Sequence, residues 1–232
     1  MKTPRKYLYV FFVFALCVLS FFMLVIQGAD ARNIAQSEPT YHIEKQWVKI
    51  WINKNGTIDI LYNVTLVCDS GTISWIRIGQ PNEYYIIGSC TDENGQSLDK
   101  TKVVEDSEIG VKIFLKSKLN ATNPEATVIL LTRVDRMVWE DEWNPGYVGM
   151  VFIPTWWPYQ VEDLRIAVVL PGNVSETEIR CSPDWNGTDI EEGNRFVYWE
   201  KSYLVPEEKF QIGVSFPKQY VTFWYSKSTW DK

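Results

Sequence analysis

A sugar-cleaving site needs two carboxylates a few ångströms apart beside a stacking surface, and Trp139-Glu140-Asp141-Glu142-Trp143 is where this sequence sets acids among aromatics. The same acids run directly into Asn144-Pro145-Gly146, so they read first as a solvated turn. Nucleophilic catalysis has less to draw on. His42 is the only histidine and reads as a surface imidazole. Neither a Gly-x-Ser-x-Gly elbow nor a Cys with a nearby His can be assembled from motif spacing. No His-Glu-x-x-His occurs, and Asp92-Glu93-Asn94-Gly95 lacks the ligand spacing of a calcium loop. The expectation is no catalytic, cofactor or metal site, and a protein that acts by binding or surface assembly and is not an enzyme.

Exposed Trp faces stack on sugar rings, and Trp139, Trp143, Trp156, Trp157 and Trp185 fall in or beside predicted turns. That makes a carbohydrate-binding module an alternative. For Trp156-Trp157, between Pro154 and Pro158, burial at the closing end of a β-sandwich is the preferred reading.

The compartment is written at the N-terminus. Lys2, Arg5 and Lys6 precede an uncharged run, residues 7–26, followed by Ala29-Asp30-Ala31, which fits the small-x-small cleavage rule. The run approaches the roughly 20 residues that span a bilayer. Cleavage of 1–31 as a signal peptide and its retention as a membrane anchor are both open, and either way 32–232 is exported to the cell surface or secreted. Sequons at Asn55, Asn63, Asn120, Asn173 and Asn186 agree with an exposed, glycosylatable surface. A formal net charge of -6, with basic residues scattered singly, excludes a nucleic-acid partner, whose phosphates demand clustered Lys and Arg.

These side chains must be positioned by strands. Beyond the linker 32–41, Trp47–Ile52 and Thr57–Val67 flank Asn53-Lys54-Asn55-Gly56, a hairpin in which Asn-Gly supplies the positive φ of a primed turn. The two-residue period puts Ile58, Ile60, Tyr62, Val64 and Leu66 on one face, leaving Asn63 and Thr65 on the other, where Asn63 faces solvent. Further strands are expected at 72–78, 84–89, 102–105, 110–116, 126–134, 147–153, 163–170, 176–181, 195–200 and 209–216, with Gly, Pro, Asn and Asp clusters between them. No stretch after residue 32 keeps a 3.6-residue period for three turns, so the fold class is all-β, with one or two antiparallel sandwich modules. Residues 42–144 form a first half or domain and 145–218 a second.

The order of these segments resembles a known family. Strand-Asn-Gly-strand, a central strand Val128–Val134, the bend 152–158, then 161–171 ending in Leu170-Pro171, and 204–210, is similar to the extracytoplasmic region of predicted membrane proteins called domain of unknown function 2207. The resemblance covers roughly 42–220. It implies a β-rich exported domain tethered to a membrane, with no catalytic residues to carry over.

Three cysteines follow the signal region. Cys68 and Cys90, each at a strand end, close the shorter loop and are expected to form a disulfide; pairing of either with Cys181 stays open. Their spacing without histidine partners does not make a zinc site. The tail 219–232 has strong β propensity in its first eight residues, beyond Pro217. An exposed aromatic strand invites edge pairing, so it is covered by its own sheet, by a neighbouring chain or by the membrane interface, donation to another chain making a filament or surface-layer subunit by strand exchange.

Overall fold

The computed structural model describes residues 38–105 and 108–226. The signal or anchor segment 1–31, most of the linker and the end of the tail lie outside the described residues, among which no helix is long and apolar enough to cross a membrane. The strands in chain order are β1 Thr40–Ile52, β2 Ile58–Ser70, β3 Ile73–Gly79, β4 Tyr85–Thr91, β5 Asp99–Glu105, β6 Glu108–Leu119 and β7 Glu125–Val134. They continue with β8 Trp139–Glu140, β9 Tyr147–Phe152, β10 Val161–Val169, β11 Arg180–Ser182, β12 Gly187–Glu191, β13 Asn194–Lys201 and β14 Ile212–Pro217. The described residues hold no α-helix, so the all-β class stands.

The arrangement is more elaborate than paired antiparallel sandwiches. A seven-stranded sheet runs β12-β13-β10-β1-β2-β7-β4, a four-stranded sheet β11-β14-β9-β8 and a three-stranded sheet β3-β6-β5. β1 pairs with β10 in parallel, Val48 opposite Ile166 and Ile50 opposite Val168. A parallel pair needs a long crossover, and here the connection is the whole of β2 to β9. The large sheet thereby takes strands from both sides of residue 144, so 42–144 and 145–218 are halves of one unit. One continuous apolar core draws Val48 and Ile166 from the large sheet, Ile78 and Ile113 from the three-stranded one and Phe152 and Phe216 from the four-stranded one.

Local pattern explains most of this. Ile58, Ile60, Tyr62, Val64 and Leu66 are buried on one face of β2 as the two-residue period requires. The hairpin before β2 departs from expectation. Only Gly56 has positive φ, at 80°, and Gly56 N donates to the Asn53 carbonyl (3.0 Å) while Asn53 N donates to that of Thr57 (2.9 Å). That is a type I turn closed by a left-handed glycine, not a two-residue primed turn. The turn is anchored by Asp59, which accepts from Arg133 Nε (2.7 Å) and Nη2 (3.0 Å) and from Asn53 Nδ2 (3.1 Å). Burial pushes the Asp59 carboxyl up, but the bonds from Arg133 and Asn53 outweigh it and hold the group below the ordinary carboxylate range. A carboxyl depressed in the folded state stabilises fully above its unfolded value of about 3.9 and loses that contribution as pH falls through the folded value. Asp59→Asn should therefore cost about 1 kcal/mol at pH 7, and denaturation curves of variant and parent should converge in acid. Curves equally separated at both pH values would contradict this.

The expected Cys68–Cys90 disulfide is not formed: Cys68, Cys90 and Cys181 are all free. Sheet order gives the reason. β7 lies between β2 and β4, and Cys90 is in register with Leu130, which faces Tyr62, six residues up the strand from Cys68. At about 3.3 Å per residue and 4.8 Å per strand the two are roughly 22 Å apart, against the 5.5–6 Å a disulfide usually requires between Cα atoms. Burial pushes the Cys90 thiol up to about 11 against the pull of Lys100, and the Cys181 thiol up to about 12, with Asp184 adding to it. Non-reducing peptide mapping should find Cys68, Cys90 and Cys181 as thiols, reacting fully with alkylating reagents only after unfolding; a bridge between any two of them would refute this.

The tail returns to its own chain. Thr222 donates from N (2.6 Å) and Oγ1 (2.9 Å) to the Lys54 carbonyl. Tyr225 N donates to Val138 O (2.9 Å) and Glu140 N to Tyr225 O (2.8 Å), so the tail covers the free side of β8. Among the described tail residues the backbone N–H groups of Val221, Thr222 and Tyr225 and the Tyr225 carbonyl are thus bonded within the chain.

Candidate functional site

The four-stranded sheet carries an open cavity of about 640 Å³ that reaches from β8 across β9 and β14 to β11. Its rim on one side is Trp139 to Asn144, and on the other Arg180 to Ser182. Between these walls the floor includes Gly149, Gly213 and Ser215.

Hydrogen bonding fixes the acidic rim. Asp141 accepts from Trp143 N (2.9 Å), Asn144 N (3.2 Å) and Asn144 Nδ2 (2.8 Å). Burial pushes its carboxyl up, yet the bonds from Ser215, Asn144 and Trp143 prevail and hold it low. Asp141 is thus an ionised turn-former, and it tips Trp143 outward, 93% exposed. Glu140 beside it is exposed. Trp139 donates from Nε1 to the Arg136 carbonyl (2.9 Å) and lies against Tyr225, ring centroids 5.2 Å apart. Across the cavity Arg180 is held by Nη1 bonds to the carbonyls of Thr177 (2.8 Å) and Ile179 (2.9 Å), its guanidinium 5.5 Å from the Tyr147 ring centroid. β11 has β14 on one side and no strand on the other among the described residues. Its outer backbone groups are therefore available to an extended ligand.

The structure sorts the remaining tryptophans. Trp157 is 3% exposed and donates to Gln46 Oε1 (3.2 Å), so it closes the core and cannot stack on a ligand. Trp156 is exposed with Lys209 Nζ 4.2 Å from its ring centroid, and Trp185 is packed partly against the core. Only Trp139 and Trp143 are brought together. The strand expected at 176–181 contains Arg180 but begins only there, after the 3-10 turn Glu176–Glu178; its place opposite acids about forty residues away is not legible in the sequence.

Asn55, Asn173 and Asn186 are exposed and Asn120 is half-buried. In the first and last of these sequons to form a local turn, Thr57 and Thr122 donate Oγ1–H to Asn55 Oδ1 (2.8 Å) and Asn120 Oδ1 (2.7 Å). Asn63 does not stand free. It lies between Trp47 and Ile129 in the sheet, and its Oδ1 is shut away from solvent, which strand alternation alone does not show. His42 pairs with Asp69, Nδ1 to Oδ1 2.9 Å, near Glu162.

No family model matches the chain, and no curated relative matches it in sequence. Among solved structures it is similar to the M1 zinc metallopeptidase from Deinococcus radiodurans, with a TM-score of 0.55 at 11% identity, over 76% of this chain and 42% of that one. A point mutant of that peptidase bound to a Tyr-Ser-Ala substrate gives a TM-score of 0.52, also at 11% identity and over the same shares. The chain spans less than half the length of these peptidases, and the likeness is one of fold. It overturns the expectation of a protein that acts only by binding or surface assembly, whether as a carbohydrate module or a strand-exchanging subunit: this β fold occurs within enzymes.

Proposed function

We propose that this chain serves peptide hydrolysis, engaging an extended peptide as the β unit of a metallopeptidase-type architecture. The observation that supports it is the cavity between Trp143 and Arg180, opening on the unpaired edge of β11, in a fold shared with a peptidase bound to a tripeptide. An extended peptide adds main-chain hydrogen bonds along such an edge. The exposed Glu140 carboxylate suits a peptide's amino terminus and Arg180 its carboxylate, while the Trp143 indole covers the side chains between them.

Zinc is a poor fit to these residues. A catalytic zinc takes three protein ligands, drawn chiefly from His and carboxylates, whereas His42 is the only histidine in the chain and is engaged by Asp69. Among the described residues no three His, Cys, Asp or Glu are grouped to hold a metal. The role assigned to this chain is therefore peptide engagement, with no step routed through a metal.

Calorimetric titration of the full chain with Tyr-Ser-Ala tests the reading. Saturable binding that Trp143→Ala weakens about tenfold is expected. Absence of binding, or binding indifferent to both Trp143→Ala and Arg180→Ala, would overturn it.

A further inference from the structure

The outer face of the three-stranded sheet sets exposed aromatics beside cations in an acidic protein. Trp75 of β3 stands opposite Phe114 of β6, and the two are 46% and 42% exposed. Lys112 joins them, its Nζ 4.1 Å from the Trp75 ring centroid and 5.4 Å from that of Phe114. Arg77 is the cross-strand neighbour of Lys112. Lys116 and Lys118 are exposed in the irregular stretch of β6 that follows. Asp99 of β5 lies in register with Phe114 on its other side. Among the described residues no carboxylate stands within ion-pair distance of Lys112, Lys116 or Lys118. A face that leaves two large aromatics and lysines without carboxylate partners in water is built for contact with something apolar and anionic.

Its position identifies that partner. Gly71, just before β3, packs on Pro39: a Cβ added there would come 2.9 Å from Pro39 Cα. Tyr159 Oη donates to the Pro39 carbonyl (2.8 Å) and pins the same point. Trp75 is four residues beyond Gly71, within about 14 Å along the chain. Pro39 is also where the described chain leads back toward the apolar run 7–26, and the intervening 27–37 reaches at most about 40 Å. The aromatic and cationic face thus belongs to the end of the β unit tethered to that run. Trp, Phe and Lys are the side chains that settle at headgroup depth, and cations are drawn to the anionic lipid surface.

We propose that Trp75, Phe114, Lys112 and Lys116 seat the β unit on an anionic lipid bilayer, a role independent of peptide engagement at the four-stranded sheet. The test is favoured by the sequence, since residues 1–31 contain no tryptophan. The full chain is reconstituted in vesicles of phosphatidylcholine, with and without phosphatidylserine, carrying brominated acyl chains that quench nearby indoles. Tryptophan emission should be quenched, more strongly with phosphatidylserine. Trp75→Phe should remove most of the quenching. Lys112→Glu with Lys116→Glu should abolish the dependence on phosphatidylserine, with far-UV circular dichroism unchanged in both variants. Quenching that Trp75→Phe leaves intact, absence of quenching, or equal quenching in the two lipid mixtures would overturn the proposal.

Discussion

Trp199→Ala should lower stability by about 3–5 kcal/mol, the ordinary cost of emptying a large aromatic site. Trp199 is among the largest fully buried side chains, 1% exposed. On β13 it faces Ile166 across the strand pair that extends the large sheet beyond β10, and its Nε1 donates to the Pro183 carbonyl (3.1 Å). Truncation both opens a cavity and releases the segment entering β12. Because native domains are stable by only about 5–15 kcal/mol, such a loss removes a large share of the total. Denaturant unfolding checks it; a cost below about 1.5 kcal/mol would mean the site collapses around the smaller side chain.

Gln46→Ala should cost a comparable amount for a different reason. Gln46 is fully buried on β1, where it donates from Nε2 to the Thr155 carbonyl (2.8 Å) and accepts from Trp157 Nε1 (3.2 Å). It thereby ties the bend 153–158, which leads from β9 to β10, to the centre of the large sheet. Its removal strands the buried Trp157 donor and the part-buried Thr155 acceptor at about 1–3 kcal/mol each, so a loss of about 2–6 kcal/mol is expected. Gln46→Met keeps the volume and should lose nearly as much. A Met variant as stable as the parent would show that packing, not satisfaction of Trp157 and Thr155, is what Gln46 supplies.

These two residues also mark what sequence patterning can and cannot reach. The period of two in β2 and β10 was legible because each strand has one face in the core. Burial of the pair Trp156-Trp157 between two prolines holds for Trp157 alone, since Trp156 is 46% exposed: prolines mark the bend but not which of two adjacent indoles turns inward. β12 was not, since Gly187-Thr188-Asp189-Ile190-Glu191 is an edge strand with little buried surface and is written in turn residues. The parallel β1–β10 pair was likewise hidden, because nothing local in either strand specifies a partner more than a hundred residues away. The same lack of long-range information produced the failed disulfide, as strand ends near in sequence proved to be separated by β7. At the candidate site the acids and Trp143 could be read from their spacing, whereas Arg180 joins them only through the order β11-β14-β9-β8.

That convergence is the central claim, and backbone amide NMR of the full chain, titrated with Tyr-Ser-Ala, tests it most directly. Shifts should saturate together at Glu140 to Asn144, Arg180 to Ser182 and Gly213 to Ser215. Shifts absent from all three stretches, or confined to residues away from this sheet, would contradict it.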